Sequence, residues 1–268
     1  MKISNKVIVI TGAGSGMGRE LAIQLVKKEA KIALVDINEE ALKETAELCG
    51  NASTSIHVLS VADQSAVNVL PEQIMAAHGQ VDAIINNAGI IQPFIDVNDL
   101  DFKVINRVMD INFMGTVFMT KAFLPHLLKR PNAHIANVAS MGGFIPFPGQ
   151  TIYSASKAAM KTFTEGLYGE LKETNVGVTI ILPGAVNTNI MSNSGLVTKE
   201  EEAKSKEHNG MKALAADKAA AIMIKAIEGN QFRVLVGSDA RFLDFLYRLA
   251  PRFAVNFIVK QMAKLKKK

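Results

Sequence analysis

The chain has a single cysteine in 268 residues, Cys49. One thiol closes no internal disulfide and lacks any metal-ligand spacing, so it fits a reducing compartment and a place in or near apolar packing. Long hydrophobic runs are missing as well: nowhere do about 18 apolar residues pass without a charge, and no membrane-spanning helix is expected. The opening MKISNKVIVITGAG has one short apolar run that leads straight into glycines, with no cleavage site after it, so it reads as a first strand and not a leader peptide. His57, His78, His126, His134 and His208 form neither a triad nor a metal site and are assigned to structure or surface.

What charge there is lies unevenly. Residues 241–268 hold eight Lys/Arg and one Asp, a net +7, which leaves 22 basic and 24 acidic residues, a net −2, for 1–240. A slightly acidic body with no basic aromatic platform argues against a nucleic-acid role. Hydrophobic residues at 49% and charged residues at 21% are globular values, and the length suits one α/β unit.

Short β-branched runs recur at 6–10, 31–35, 55–59, 81–85, 133–138, 176–181 and 232–236, separated by stretches with helical spacing such as Met17 to Lys28 and Glu39 to Cys49. Continuous apolar strands alternating with helices predict a parallel sheet covered on both faces, a doubly wound α/β fold. Ligands in such sheets bind outside the carboxyl ends of the strands.

After the first strand comes TGAGSGMGRE. Glycines at 12, 14, 16 and 18 between a strand and a helix let backbone amides receive a phosphate. The spacing is T-G-x-x-x-G-x-G and not G-x-G-x-x-G. Asp36 ends the second strand eighteen residues after Gly18, where an acid would accept from both adenosine ribose hydroxyls and repel a 2′-phosphate. With Ser15 and Ile37 uncharged, NAD is favoured over NADP. The plainer alternative makes Asp36 a helix cap before Asn38.

Five motifs, TGAGSGMG, NNAG (Asn86 to Gly89), NVAS ending at Ser140, YSASK (Tyr153 to Lys157) and PGAVNT (Pro183 to Thr188), stand in an order and separation that resembles the short-chain dehydrogenase/reductase family in its compact form. The resemblance covers Ile3 to about Val236. It implies a single doubly wound (Rossmann) domain over 1–240, with a substrate loop at about 184–213; the tail lies outside the resemblance, and its charge and spacing are read as a basic amphipathic helical extension at 241–268. The resemblance also implies a homo-oligomer, a dimer or tetramer, in the cytoplasm.

Tyr153 and Lys157, four apart, share one face of a helix. A free tyrosine has a pKa near 10, and a nearby ammonium favours the phenolate. Tyr153 is therefore expected as the acid/base group and Lys157 as its neighbouring charge. By resemblance, Lys157 also holds the nicotinamide ribose, Ser140 holds the substrate oxygen, and Asn112 in MDINFMG supports a water chain from Lys157. Resemblance likewise gives the cofactor set: Gly12, Ser15, Gly16, Met17 and Gly18 at the loop, Asp36, Val61 at the adenine, Asn86 near the adenosine half, Val186 and Thr188 at the carboxamide, with Tyr153 and Lys157. Where many members carry Asp-Val after the third strand, this chain has Ser60-Val61, which removes the side-chain contact to adenine. Asp63 is expected to cap the next helix.

The expected reaction interconverts a secondary alcohol and a ketone. Phe144, Ile145 and Phe147 between Ser140 and Tyr153, and the lack of arginine clamps in these loops, point to an apolar substrate. The alternatives are an NADP-dependent ketoacyl-type reductase and a catalytically silent nucleotide-sensing protein. In the extension, Ala254, Phe257, Ile258, Met262 and Leu265 recur at helical spacing opposite Lys260, Lys264 and Lys266 to Lys268. Two uses are expected for that apolar face: packing on a subunit or over the pocket, or peripheral contact with a membrane surface.

Overall fold

All seven apolar runs form strands of one parallel sheet: β1 (Val7–Thr11), β2 (Lys31–Asp36), β3 (Thr54–Val58), β4 (Ala83–Asn86), β5 (Ala133–Val138), β6 (Val176–Pro183) and β9 (Arg233–Val236), in the order β3-β2-β1-β4-β5-β6-β9. A separate pair, β7 (Val186–Asn187) and β8 (Leu214–Ala215), lies outside it. The computed structural model describes residues 1–50, 53–198, 200–202, 204 and 213–265, without the side chains of 264 and 265.

Alternate residues of the central strands enter opposite layers, which is why the runs read as unbroken apolar stretches. Ile8 and Ile10 pack with Leu21 and Leu25 of α1 (Gly16–Val26), Leu42 of α2 (Glu39–Cys49) and Met223 of α8 (Ala216–Glu228). Val7 and Val9 pack on the other side with Leu70 of α3 (Gln64–His78), Phe123 of α5 (Gly115–Leu127) and Leu167 of α6 (Thr151–Leu171). Asp63 caps α3 as expected, its carboxylate accepting from the amides of Ser65 and Ala66 at 2.9 and 3.1 Å. Cys49 is buried against the first layer.

β1 pairs with β2 on one side and β4 on the other, so the winding reverses between β1 and β4 and opens a crevice at their carboxyl ends. Between α4 (Phe102–Met109) and α5, residues Asp110–Met114 widen into a π-helical turn that carries Asn112. Such turns recur at functional sites.

The extension forms α9 (Ser238–Leu249) and α10 (Pro251–Leu265), with the corner at Ala250-Pro251. Leu243, Ala254 and Ile258 are buried around Ile145, with Met141, Phe144, Phe147, Phe257 and Met262 packed against them. The apolar face expected from the sequence is thus spent on packing beside the catalytic segment, and is not free for a membrane. The side chains of Lys264 and Leu265, and Lys266 to Lys268, lie outside the described residues. No helix among the described residues is long and apolar enough to cross a membrane.

Candidate active site

The glycine loop closes tightly on the crevice. Gly12 has φ +66°, and a Cβ there would lie 3.0 Å from the Ala88 Cα; a Cβ on Gly18 would collide with the Gly12 carbonyl. The loop is also tied to β4: Thr11 Oγ1 accepts from the amides of Asn87 and Ala88 at 2.9 and 3.0 Å, and Asn87 Nδ2 donates to the Thr11 carbonyl at 3.0 Å. A cradle of bare backbone at a helix start fits a pyrophosphate. Met17 packs inward against the first core layer, which leaves only its backbone to the loop.

Asp36 stands at the end of β2, its Oδ2 accepting from the Gly14 amide at 3.0 Å and its Oδ1 from the Asn38 amide at 3.1 Å. Asn38 itself caps α2 through Ala41. Asp36 therefore braces the glycine loop, and each oxygen keeps lone-pair capacity for a ribose hydroxyl. Arg19, passed over in the sequence, donates to the Gly14 carbonyl at 2.6 Å and pairs with Glu44 at 2.8 Å. A cation thus holds the carbonyl of the same glycine whose amide Asp36 holds, already committed to that carbonyl and a carboxylate.

Tyr153 and Lys157 occupy successive turns of α6. Lys157 is 4% exposed. Its Nζ donates to the Val138 carbonyl at the end of β5 at 2.9 Å. Burial lowers its pKa from 10.5 to about 8. For Tyr153, burial raises the pKa and the hydrogen bond with Ser140 works against it. The expectation that Lys157 lowers the Tyr153 pKa is not met in the protein alone, where desolvation of the phenol dominates. Ser140 follows β5 and is positioned by the Gly142 amide, which donates to its Oγ at 3.0 Å.

Asn112 is fully buried. Its Oδ1 accepts from the Ile90 amide at 2.8 Å, and its Nδ2 donates to the Ile90 carbonyl at 2.9 Å and to Ser156 Oγ at 3.0 Å. Ser156 donates in turn to the Tyr153 carbonyl at 2.7 Å. A Cβ on Gly89 would lie 3.1 Å from Lys157 Nζ and 3.2 Å from Asn112 Oδ1, so the lysine and the asparagine converge on a position that leaves a side chain little room.

Gln92 carried no sequence signal, being one amide in the apolar run GIIQPF. It is fully buried. Its Oε1 accepts from the amides of Ile152 and Tyr153 at 2.8 and 3.0 Å, and its Nε2 donates to the Gly149 carbonyl at 3.0 Å. Gln150, at the cap position of α6, makes no side-chain cap bond, so Gln92 supplies the missing acceptor from the loop after β4.

Asn86, at the end of β4, is buried and donates to Asn137 Oδ1 at 2.8 Å while lining a small cavity with Thr11, Val61 and Ala88; Asn87 Nδ2 reaches the Gly12 carbonyl at 3.4 Å. Val61 is buried against Gly115, leaving its backbone for an adenine. Val186 pairs with Leu214, and Thr188 lies over Gly16, 3.3 Å from where a Cβ would be. Asp239 at the start of α9 fixes that loop by accepting from the Ala185 amide at 2.7 Å. Of the substrate loop, residues 199, 203 and 205–212 lie outside the description, as does His208. The part before them is pinned: Asn193 donates to Ser15 Oγ at 2.7 Å and Ser194 Oγ accepts from the Ile91 amide at 3.0 Å. Ile145 is core under α10 and not pocket lining, whereas Phe94 and Ile95 are exposed beside Gly149.

A family model described as short chain dehydrogenase matches residues 6–197. SadH of Mycobacterium tuberculosis, described as an oxidoreductase, is 37% identical over 250 residues, 91% of this chain and 90% of SadH. A Burkholderia phymatum short-chain dehydrogenase/reductase solved with NAD superposes with TM-score 0.82 at 27% identity, over 93% of this chain and 96% of that one. Levodione reductase superposes with TM-score 0.79 at 25% identity, over 89% and 98%. The chain belongs to the short-chain dehydrogenase/reductase family and is an NAD(P)-dependent oxidoreductase.

Proposed function

We propose that the protein interconverts an apolar secondary alcohol and its ketone, with NAD(H) as cofactor. The observation that carries this reading is the meeting of Ser140, Tyr153 and buried Lys157 at the carboxyl ends of the strands, beside a backbone cradle with Asp36 at its far end. When bound, a nicotinamide supplies the hydride donor or acceptor.

Each chain residue has a definite part in this scheme. Gly12, Ser15, Gly16, Met17 and Gly18 offer backbone and a hydroxyl to the pyrophosphate, Asp36 takes the ribose hydroxyls, and Val61, Asn86, Val186 and Thr188, with Asn87, line the remainder. Ser140 holds the substrate oxygen, and Tyr153 takes its proton in oxidation and returns it in reduction. Lys157 is a cation below about pH 8, and its charge would favour the phenolate against the desolvation that raises the Tyr153 pKa. Asn112 holds Ile90 and Ser156 in place, and through Ser156 the first turn of α6.

Exposed Phe94 and Ile95 near Gly149, and half-buried Phe144 and Phe147, support an apolar substrate, as does the likeness to a reductase named for levodione. A homo-oligomer is part of the same reading. The test is a panel of alcohols and ketones assayed with NAD(H) and NADP(H), for the wild type and Tyr153→Phe. Turnover with NAD(H) that collapses in the variant while NADH still binds is expected. Retained turnover would sink the assignment of Tyr153, and a preference for NADP(H) that of Asp36.

A further inference from the structure

We propose that the outer face of α9 and the first turn of α10 dock on an anionic lipid surface. Phe242, Phe245 and Leu249 stand at i, i+3 and i+7, one stripe of α9, and are 54, 65 and 69% exposed; Phe253, just past the corner, is 61% exposed. Four large apolar side chains bared within twelve residues are far more than scattered surface apolarity. They are a different set from the buried Leu243, Ala254 and Ile258, so the two helices are apolar on both sides.

Charge selects the occupant. Arg241, Arg248 and Arg252 alternate with these side chains, and residues 241–268 carry +7 against −2 for the body. The one acid of the segment, Asp244, is buried and held mainly by Arg233, with bonds of 2.6 and 3.1 Å; it also pairs with Arg248 at 3.2 Å, which leaves Arg241 and Arg252 as the cations of the stripe that it does not answer. The stripe therefore presents apolar area and positive charge together, the combination that holds a helix at a bilayer interface. A second copy of the chain fits less well, because a two-fold contact through this face would gather the arginines of both copies into one interface. The inner side of the same helices covers Ile145, so docking would keep that lip of the cleft at the lipid; only this consequence rests on the apolar-substrate reading.

Ending the chain before α10 would strip cover from Ile145, so point changes on the outer face are the cleaner probe. The full chain, Phe245→Asp/Leu249→Asp and Arg241→Glu/Arg252→Glu are sedimented with mixed phosphatidylserine/phosphatidylcholine vesicles and with phosphatidylcholine alone, at low and high salt. Circular dichroism and thermal melting establish that both variants fold. Wild type is expected to bind the anionic vesicles at low salt and to leave them as salt rises, with each double variant weaker on the order of tenfold or more. Wild type that ignores anionic vesicles, or variants that bind as well as it does, would overturn the proposal. So would sedimentation velocity in which the Asp variant breaks up an oligomer that wild type forms, since the face would then belong to a second copy.

Discussion

Lys157→Met should make the protein more stable at pH 7 while abolishing turnover. The lysine is buried, and a fall in pKa from 10.5 to about 8 means that the fold disfavours its charged form. At about 1.4 kcal/mol per pH unit, that opposes folding by roughly 3 kcal/mol wherever the side chain is charged in both states. A methionine fills most of the same volume without the charge. It also gives up the bond from Nζ to the Val138 carbonyl, and an acceptor left buried costs about 1–2 kcal/mol. The net gain is about 1–2 kcal/mol, or several degrees in melting temperature for a domain of this size.

The pH dependence follows from the direction of the shift. Between about pH 8 and 10.5 the unfolded chain holds the proton and the native chain does not, so wild-type stability rises with pH through that window. The variant's advantage should therefore shrink as pH climbs from 7 toward 10. Urea midpoints of both proteins at pH 7, 8.5 and 10 give the measurement. A variant less stable at pH 7, or a gap that stays constant with pH, would show that Lys157 is not penalised by burial.

Gln92→Ala removes three buried hydrogen bonds at the start of α6 and should lower stability by about 3 kcal/mol. Gln92→Glu, which keeps the acceptor for both amides, should recover part of kcat; equal losses in the two variants would mean that the acceptor is not what matters. Asp36→Ala should raise the kcat/KM ratio of NADP to NAD by a factor on the order of ten, as the repelling charge leaves and Arg19 remains; an unchanged ratio would place the ribose elsewhere. His134 is buried against Thr179, and burial holds its pKa at about 3 against 6.5. The unfolded chain therefore binds a proton that the native chain refuses between those values, and stability should fall steeply below pH 6.5 in acid titrations, less so for His134→Gln. Alcohol oxidation should accelerate with rising pH, since burial raises the Tyr153 pKa and the base form needs alkali; a flat profile of kcat/KM would argue against the phenol.

Strands, sheet class and glycine loop were legible because each is written in contiguous residues. β5 covers the six residues of its apolar run, and α2 covers Glu39 to Cys49. Tyr153 and Lys157 were legible for the same reason, being one helical turn apart. Gln92 was not, because its partners at Gly149, Ile152 and Tyr153 lie some sixty residues away, and a glutamine in an apolar loop has no local signature. At Asn86 and Asn87 the motif offers two adjacent asparagines, and strand alternation, not the motif, decides which one turns into the sheet.

The extension shows the limit most clearly. Helical spacing picked out the apolar face of α10, yet spacing alone says only that a face is apolar and not what covers it. Ile145 covers it, and Ile145 was itself expected at the substrate because it stands between Ser140 and Tyr153. One contact decides both readings: Ile145 turns from the pocket to meet the helix, and of the two uses expected for the helix face the described side chains show packing beside the catalytic segment. Asp239 adds a second tie, since it opens α9 and holds the loop that carries Val186 and Thr188. The segment outside the recognisable motifs is thus joined to the site at two places. A change in α9 or α10 should therefore register in substrate and cofactor constants and not only in stability.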